Sequence, residues 1–219
     1  MGLPRTEPYI WTTWLTKLLV GEESCEWGAW FKAHHERYEK VPDTFDRTTW
    51  QVQHTSLLRD IREKFDSESY AVFLERQNNF RLRSIHSGIV LGGQPDLIAI
   101  KGNSGLICDA KTGQPRASDH VQVMIYMWAI PLAFHQYRAV TFDGKVMYQD
   151  QQIPIPSNAI NESFTNNLTK LIQRVGRSNP LQKVPSTIEC GFCQIASTEC
   201  VERVCGQSEE LAKNSILGF

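Results

Sequence analysis

Residues 92–126 read GGQPDLIAIKGNSGLICDAKTGQPRASDHVQVMIY. Two short apolar runs, LIAI and GLIC, each stand beside a carboxylate: Asp96 opens the first and Asp109 closes the second. Such runs, bounded by turn residues, read as buried strands at Asp96–Ile100 and Gly105–Ala110. The Lys-Gly-Asn-Ser segment between them is a turn signal. Strand alternation puts Asp109 and Lys111 on one face. Ser118 is the expected N-cap of a helix over about 119–130, with Pro131 near its end. Its expected buried stripe is Val121, Met124, Ile125, Trp128 and Ala129. Gln122 and Tyr126, four apart, share a flank beside that stripe and face one groove.

Two carboxylates and an amine so placed suit hydrolysis of a phosphodiester. That reaction needs a positioned water and shielding of the phosphate charge, which one or two hard cations supply. Mg²⁺ and Mn²⁺ prefer oxygen ligands and keep some waters, so a few carboxylates suffice. Lys111 is placed to orient the attacking water or offset phosphate charge, and Ala110 offers its carbonyl to the metal. The plain alternative is two strand-end aspartates in turns and a surface lysine. Pro-Asp or Asp-x-Lys alone is weak evidence, but the two together, thirteen positions and two apolar runs apart, favour the site.

Upstream, residues 8–20 carry Trp11, Trp14, Leu15, Leu18 and Leu19 at helical spacing, with Gly21 as a stop. A second helix is expected over 22–37, with Trp27, Trp30 and Phe31 on one side and Cys25 at its start. The tryptophans are expected in the core. Pro42-Asp43 begins a turn. A third helix over about Thr48–Phe65 has the stripe Trp50, Leu57, Leu58, Ile61 and Phe65, and His54 lies on that stripe. Residues 68–75 fit a short helix or a strand. Phe80 and Leu82 alternate with Arg81 and Arg83, as in a half-exposed strand. Ile89–Leu91 is another strand, and Gly92-Gly93 a turn or bulge. Downstream, Tyr137–Phe142 and Lys145–Gln149 flank Asp143-Gly144, the signal of a hairpin. Residues 157–175 form an amphipathic helix with Ile160, Phe164, Leu168, Leu171 and Ile172 inward.

Pro95-Asp96…Asp109-Ala110-Lys111 resembles the PD-(D/E)xK nuclease signature. Gln122-x-x-x-Tyr126 is similar to the extra motif of its RecB-like branch, and Gly93-x-x-Asp96 and Lys111-Thr112-Gly113 fit that branch too. The resemblance implies an α/β fold with a restriction-endonuclease-like αβββαβ core and a mixed central sheet. N-terminal helices and a C-terminal cysteine-rich segment would flank it. It also implies divalent-metal hydrolysis of DNA. His54, Asp96, Asp109 and the Ala110 carbonyl would hold the metal, and Lys111 would assist the nucleophile. Gln122 and Tyr126 would position the strand or the scissile phosphate.

The six cysteines are Cys25, Cys108, Cys190, Cys193, Cys200 and Cys205. Cys108 lies in a buried run and reads as packing. Cys190-x-x-Cys193 with Cys200 is a metal-binding spacing that needs a fourth thiolate. Cys25 is the distant candidate and Cys205 the alternative. The pattern resembles the iron–sulfur staple of AddB-type and CRISPR-associated RecB-like exonucleases, in which one cysteine before the core and three after it bind a 4Fe-4S cluster. Zinc suits four thiolates equally on spacing alone.

The chain of 219 residues is 41% hydrophobic and 21% charged, with a net charge of −1, so there is no global basic signal for nucleic acid. Local patches and bound cations outweigh the sum. No apolar run approaches the ~20 residues that span a bilayer, and the N-terminus lacks a cleavage signal, so a cytoplasmic protein without a membrane partner is expected. One domain is expected, with an N-terminal helical part (1–47), a catalytic core (48–156) and a C-terminal helix with the cysteine segment (157–219). The leading expectation is an exonuclease acting on single-stranded DNA ends, within a DNA-processing complex. Arg81, Arg83, Arg116 and Tyr126 are candidate DNA contacts. The alternatives are a silent, zinc-stapled nucleic-acid-binding or adaptor subunit and a structure-specific endonuclease on the same core.

Overall fold

The computed structural model describes residues 2–43 and 45–204. In chain order the elements are β1 (Leu3–Pro4), β2 (Tyr9–Trp11), α1 (Thr13–Val20), α2 (Glu26–His34), β3 (His35–Glu36), α3 (Arg47–Ser67) and β4 (Ala71–Leu74). There follow β5 (Phe80–Arg83), β6 (Val90–Gly93), β7 (Leu97–Lys101), β8 (Ser104–Lys111), α4 (Ala117–Ala133), β9 (Thr141–Tyr148), β10 (Gln152–Ile155), α5 (Glu162–Gly176) and α6 (Thr187–Phe192).

The central sheet has the order β10-β9-β8-β7-β4. Only β8 and β9 run parallel; the other neighbours are antiparallel. A parallel neighbour requires a crossover, and α4 supplies it. The series α3-β4-β7-β8-α4-β9 is the expected αβββαβ core, with β5 and β6 inserted before β7. Those two join β2 in a second, three-stranded sheet.

Alternation along β7 and β8 sorts their side chains between two layers. Leu97, Ala99, Cys108 and Ala110 pack with Leu58, Ile61 and Phe65 of α3. Ile98 and Ile107 join Val123, Met127 and Ile130 of α4 on the other face. The sheet is thus covered on both faces, which is why its strands read as apolar runs.

Several sequence expectations are corrected. Asp143-Gly144 is not a hairpin turn: both residues lie inside β9, opposite Leu106 and Ile107 of β8. Gly144 is needed there because a Cβ would stand 2.5 Å from Val123 Cγ1 and 2.7 Å from Met127 Sδ, so its absence lets α4 settle on the sheet. Nor are Gly92-Gly93 a turn. They pair with Arg81 and Phe80 in β6, and a Cβ on Gly93 would lie 2.8 Å from the Tyr126 ring.

The segment before Thr13 is extended, not helical, because Tyr9–Trp11 pairs in parallel with β6. α2 covers only the middle of the expected 22–37. Ser118 is not the N-cap of α4; Arg116 holds that place, its N–H bonded to Asp119 Oδ2 at 3.2 Å. The helix runs two residues past Pro131, anchored by fully buried Ala129 and Ile130. Its buried face is wider than expected and takes in Gln122 and Tyr126, while Val121, Met124 and Trp128 are half-buried. α5 starts at Glu162, where Asn161 caps it by accepting from Phe164 N at 2.9 Å. Trp50 is 40% exposed and outside the core, unlike Trp27 and Trp30.

Candidate active site

β8 carries Asp109 and Lys111 on the face that meets α4, as alternation requires. Asp109 is 2% exposed. Its Oδ1 accepts from Gln122 Nε2 at 3.0 Å, and the same nitrogen lies 3.1 Å from Tyr126 Oη. Gln122 Oε1 accepts from Lys111 Nζ at 2.9 Å. One helical turn between Gln122 and Tyr126 therefore ties the carboxylate, the amine and the phenol together.

Lys111 Nζ stands 2.6 Å from Asp109 Oδ2, an ion pair inside the cleft. Burial pushes the Asp109 carboxyl up to about 6; Lys111 opposes the shift and Asp96 adds to it. For Lys111 burial pulls downward, but Asp109, Asp119 and Asp96 outweigh it and the amine is held above its ordinary value. Tyr126 is raised well above the usual phenol range by burial and by Asp109.

Asp96 sits just before β7 and reaches across to β8, where its Oδ2 accepts from Ala110 N at 2.8 Å. From the opposite layer, His54 of α3 brings Nε2 to 3.1 Å from the same oxygen. That hydrogen bond raises the imidazole pKa against the opposing effect of burial.

All six side chains, with Ala110 and Arg116, line one cleft of about 540 Å³. Sequence reasoning missed Glu75, Asp119, Phe45 and Trp11, which also line it. Glu75 has φ of 40°, a conformation that is sparse for a non-glycine residue, and its N–H donates to Asp96 O at 2.8 Å. No local pattern marks such residues; only the packing of four elements brings them together. Arg81 and Arg83 lie elsewhere. Arg81 sits 5.0 Å over the Tyr9 ring, and Arg83 pairs with Glu7.

Among the described residues, no three His, Cys, Asp or Glu side chains are disposed to hold a metal ion. The acidic groups are instead closed on neighbours: His54 on Asp96, Asp109 on Gln122 and Lys111. The donor set still suits a hard cation. It offers two carboxylates, an imidazole and a carbonyl, and the buried Asp109 oxygen that now faces the Lys111 ammonium is where a cation would gain most.

A second cavity, of about 260 Å³, is lined by Cys25, Cys190, Cys193 and Cys200. Glu189 joins its two halves by accepting from Ser24 N at 2.9 Å and Cys25 N at 3.2 Å. Cys25 Sγ accepts from Val184 N at 3.5 Å, and Cys190 Sγ from Val204 N at 3.4 Å. Burial raises the Cys193 and Cys200 thiols. Lys32 is half-buried beside Cys193, and the loss of solvent around its amine lowers its pKa. Cys108 is apart from all of these, 1% exposed in the α3 layer and pushed up to about 12 by burial. Cys205 lies outside the described residues.

The model of the PD-(D/E)XK nuclease superfamily matches residues 14–200. The chain belongs to that superfamily. Its fold is the restriction-endonuclease-like one, and nucleases of the superfamily typically cleave phosphodiesters with Mg²⁺ or Mn²⁺. The match spans both the carboxylate cleft and the cysteines from Cys25 to Cys200. A solved structure titled "Crystal structure of SSO0001" is similar at 17% identity and a TM-score of 0.47, covering 92% of this chain and 90% of that one. A likeness at that level carries no argument about activity. No curated protein matches the chain. Among the described residues, no helix is long and apolar enough to cross a membrane.

Proposed function

We propose that this PD-(D/E)XK chain is a RecB-like DNA exonuclease acting on single-stranded ends, stapled by an iron–sulfur cluster. The observation that carries the first part is the meeting of His54, Asp96, Asp109, Lys111, Gln122 and Tyr126 in one cleft. His54, Asp96, Asp109 and the Ala110 carbonyl would hold Mg²⁺ or Mn²⁺, which when bound polarises the phosphate and acidifies water. Lys111, fully charged at neutral pH, orients the attacking water and offsets charge on the phosphate. Gln122 fixes the Lys111 amine and the Asp109 carboxylate relative to each other, so neither must reorganise as charge develops. Tyr126 stays protonated and holds Gln122 in place through the phenol.

For the staple, Cys25, Cys190, Cys193 and Cys200 would bind the cluster. Two backbone N–H groups already point at cysteine sulfurs, the kind of donor that tunes a metal thiolate. Lys32 and Lys183 line the cavity beside Cys193 and Cys200, which fits an anionic centre. A single zinc ion draws four sulfurs to about 2.3 Å and fills little space, so the cavity favours the larger group. Closing residue 25 onto 190–200 ties a long loop and holds the N-terminal helices on the core.

The test is anaerobic purification followed by digestion of end-labelled linear single-stranded DNA with Mn²⁺ or Mg²⁺. An exonuclease releases label progressively from linear strands and leaves circular ones whole. Cleavage of circles points to an endonuclease. Binding without cleavage points to the silent subunit.

A further inference from the structure

The wall of the cleft beside His54 carries two exposed aromatic rings that neither the core nor the hydrolytic groups use. Phe45 is 57% exposed and Trp50 is 40% exposed. Their centroids lie 6.3 Å apart at 56°. Trp50 in turn stacks on His54, centroid to centroid 4.9 Å at 24°. His54 is hydrogen-bonded to Asp96. The indole is thus one ring layer away from the carboxylate pair, and both aromatic residues line the same cleft as Asp109 and Lys111.

Part of this has a plain structural account. Asp46 caps α3 by accepting from Thr49 N at 3.0 Å, so Phe45 and Trp50 occupy the flanking positions of a hydrophobic staple. A staple needs only two apolar side chains. Leucine at position 50 would serve, and it would not leave a wide flat ring in the mouth of a cleft. Nor does the staple explain why the indole lies over the histidine.

We infer that Trp50, walled by Phe45, is a base-stacking subsite that takes the unpaired nucleotide next to the scissile phosphate. The inference rests on the nuclease reading and names its substrate class. A flat aromatic face binds any base through its π-face without reading sequence. Within a duplex those faces are covered by neighbouring bases, so only an unpaired nucleotide presents one to the protein. The same cleft holds Lys111 and Arg116 among four carboxylates, so a phosphate chain passing the ring would be held together with a divalent cation.

The test is a cycle between the protein and the DNA. The full chain binds a single-stranded oligonucleotide carrying 2-aminopurine at successive positions from one end, with Ca²⁺ in place of Mg²⁺ or Mn²⁺ so that no cutting occurs. One position is expected to quench on binding. Replacing that nucleotide by an abasic sugar weakens binding by about 5- to 100-fold, the range for losing one base–aromatic stack. Trp50→Leu, which keeps the staple and the melting temperature, loses the quench and weakens binding to the intact strand by a similar factor. It is indifferent to the abasic change. Trp50→Phe restores most of the loss. In the presence of Mn²⁺ the Trp50→Leu loss appears mainly in KM. Additive effects of the two changes, or an unaltered quench in Trp50→Leu, overturn the stacking subsite. A wild-type protein that cuts no DNA overturns the nuclease reading whatever the cycle shows.

Discussion

The two candidate centres are opposites in charge. The cleft is lined by four carboxylates (Glu75, Asp96, Asp109, Asp119) against Lys111 and Arg116. The cysteine cavity is lined by four cations against two carboxylates. In the first, a buried carboxylate is pushed toward neutrality; in the second, burial pushes an amine the same way. A buried charge without a partner is expensive; in the cleft Lys111 stands against Asp109, and at the cavity Lys17 pairs with Glu23 and Lys183 with Glu202. The occupants proposed above follow the sign of each lining: a cation for the cleft and an anionic cluster for the cavity. The centres also differ in how they are built. The cleft draws on neighbouring strands and one helix turn, whereas the cavity joins residues 25 and 190–200.

Removing a reacting group should give the largest effect. Asp109→Asn or Lys111→Ala is expected to lower metal-dependent cleavage by at least about a thousandfold, read as initial rates on labelled DNA, while circular dichroism stays native. Activity retained in either would sink the roles given to the cleft. Lys111→Ala should also lose metal-free stability, because it leaves Asp109 buried beside no cation.

Next in size is the cavity. Cys193→Ser is expected to lose visible absorbance from the anaerobic protein and to lower its melting temperature by about 10 °C or more, as loss of a structural metal centre does. Cys108→Ala should keep the colour. Equal colour in both variants would remove the distinction between structural and ligand cysteines.

A pH dependence separates the centres further. The folded-state pKa of Asp109 is raised from 3.8 to about 6, so between these values the folded protein holds more protons than the unfolded chain. The Asp109 contribution to the stability of the metal-free protein therefore falls as pH rises from about 4 to about 6, by roughly 3 kcal/mol at most. His54 acts in the same direction. Its folded pKa is raised, so its contribution is complete below about 6.5 and fades as pH rises through the folded value. Mn²⁺ should flatten the slope. Chemical denaturation of the wild type against Asp109→Asn across this range checks it, and an identical pH slope in the two would contradict the account of the buried carboxylate.

The smallest effect concerns the seam of the cavity. Glu189→Ala removes the acceptor for Ser24 and Cys25 and should cost about 1 kcal/mol, seen as faster bleaching in air with cleavage by fresh protein unchanged. An unaltered bleaching rate would show that Cys25 is held without that link.

The αβββαβ order was legible because its parts are local: two apolar runs, a turn between them, and a helix with its own spacing. The convergence of Asp109 and Lys111 follows from alternation alone. The misread elements were those in which glycine serves packing. Asp143-Gly144 and Gly92-Gly93 carry turn chemistry, yet each glycine sits in a strand where a helix or a ring presses against the backbone. Trp50 differs too: its spacing fits the buried stripe of α3, but its ring stacks on His54 at the cleft and is 40% exposed.

Sequence by itself determined which groups are chemically able to act and which secondary structures carry them, since residue type and period are properties of neighbours along the chain. Tertiary structure alone decided that His54 meets Asp96 across the sheet and that Glu75 and Asp119 border the same cleft. It also decided that Cys25 shares a cavity with Cys190, Cys193 and Cys200. Those contacts depend on how whole layers pack, and burial, charge and access at a site are set by the layers around it.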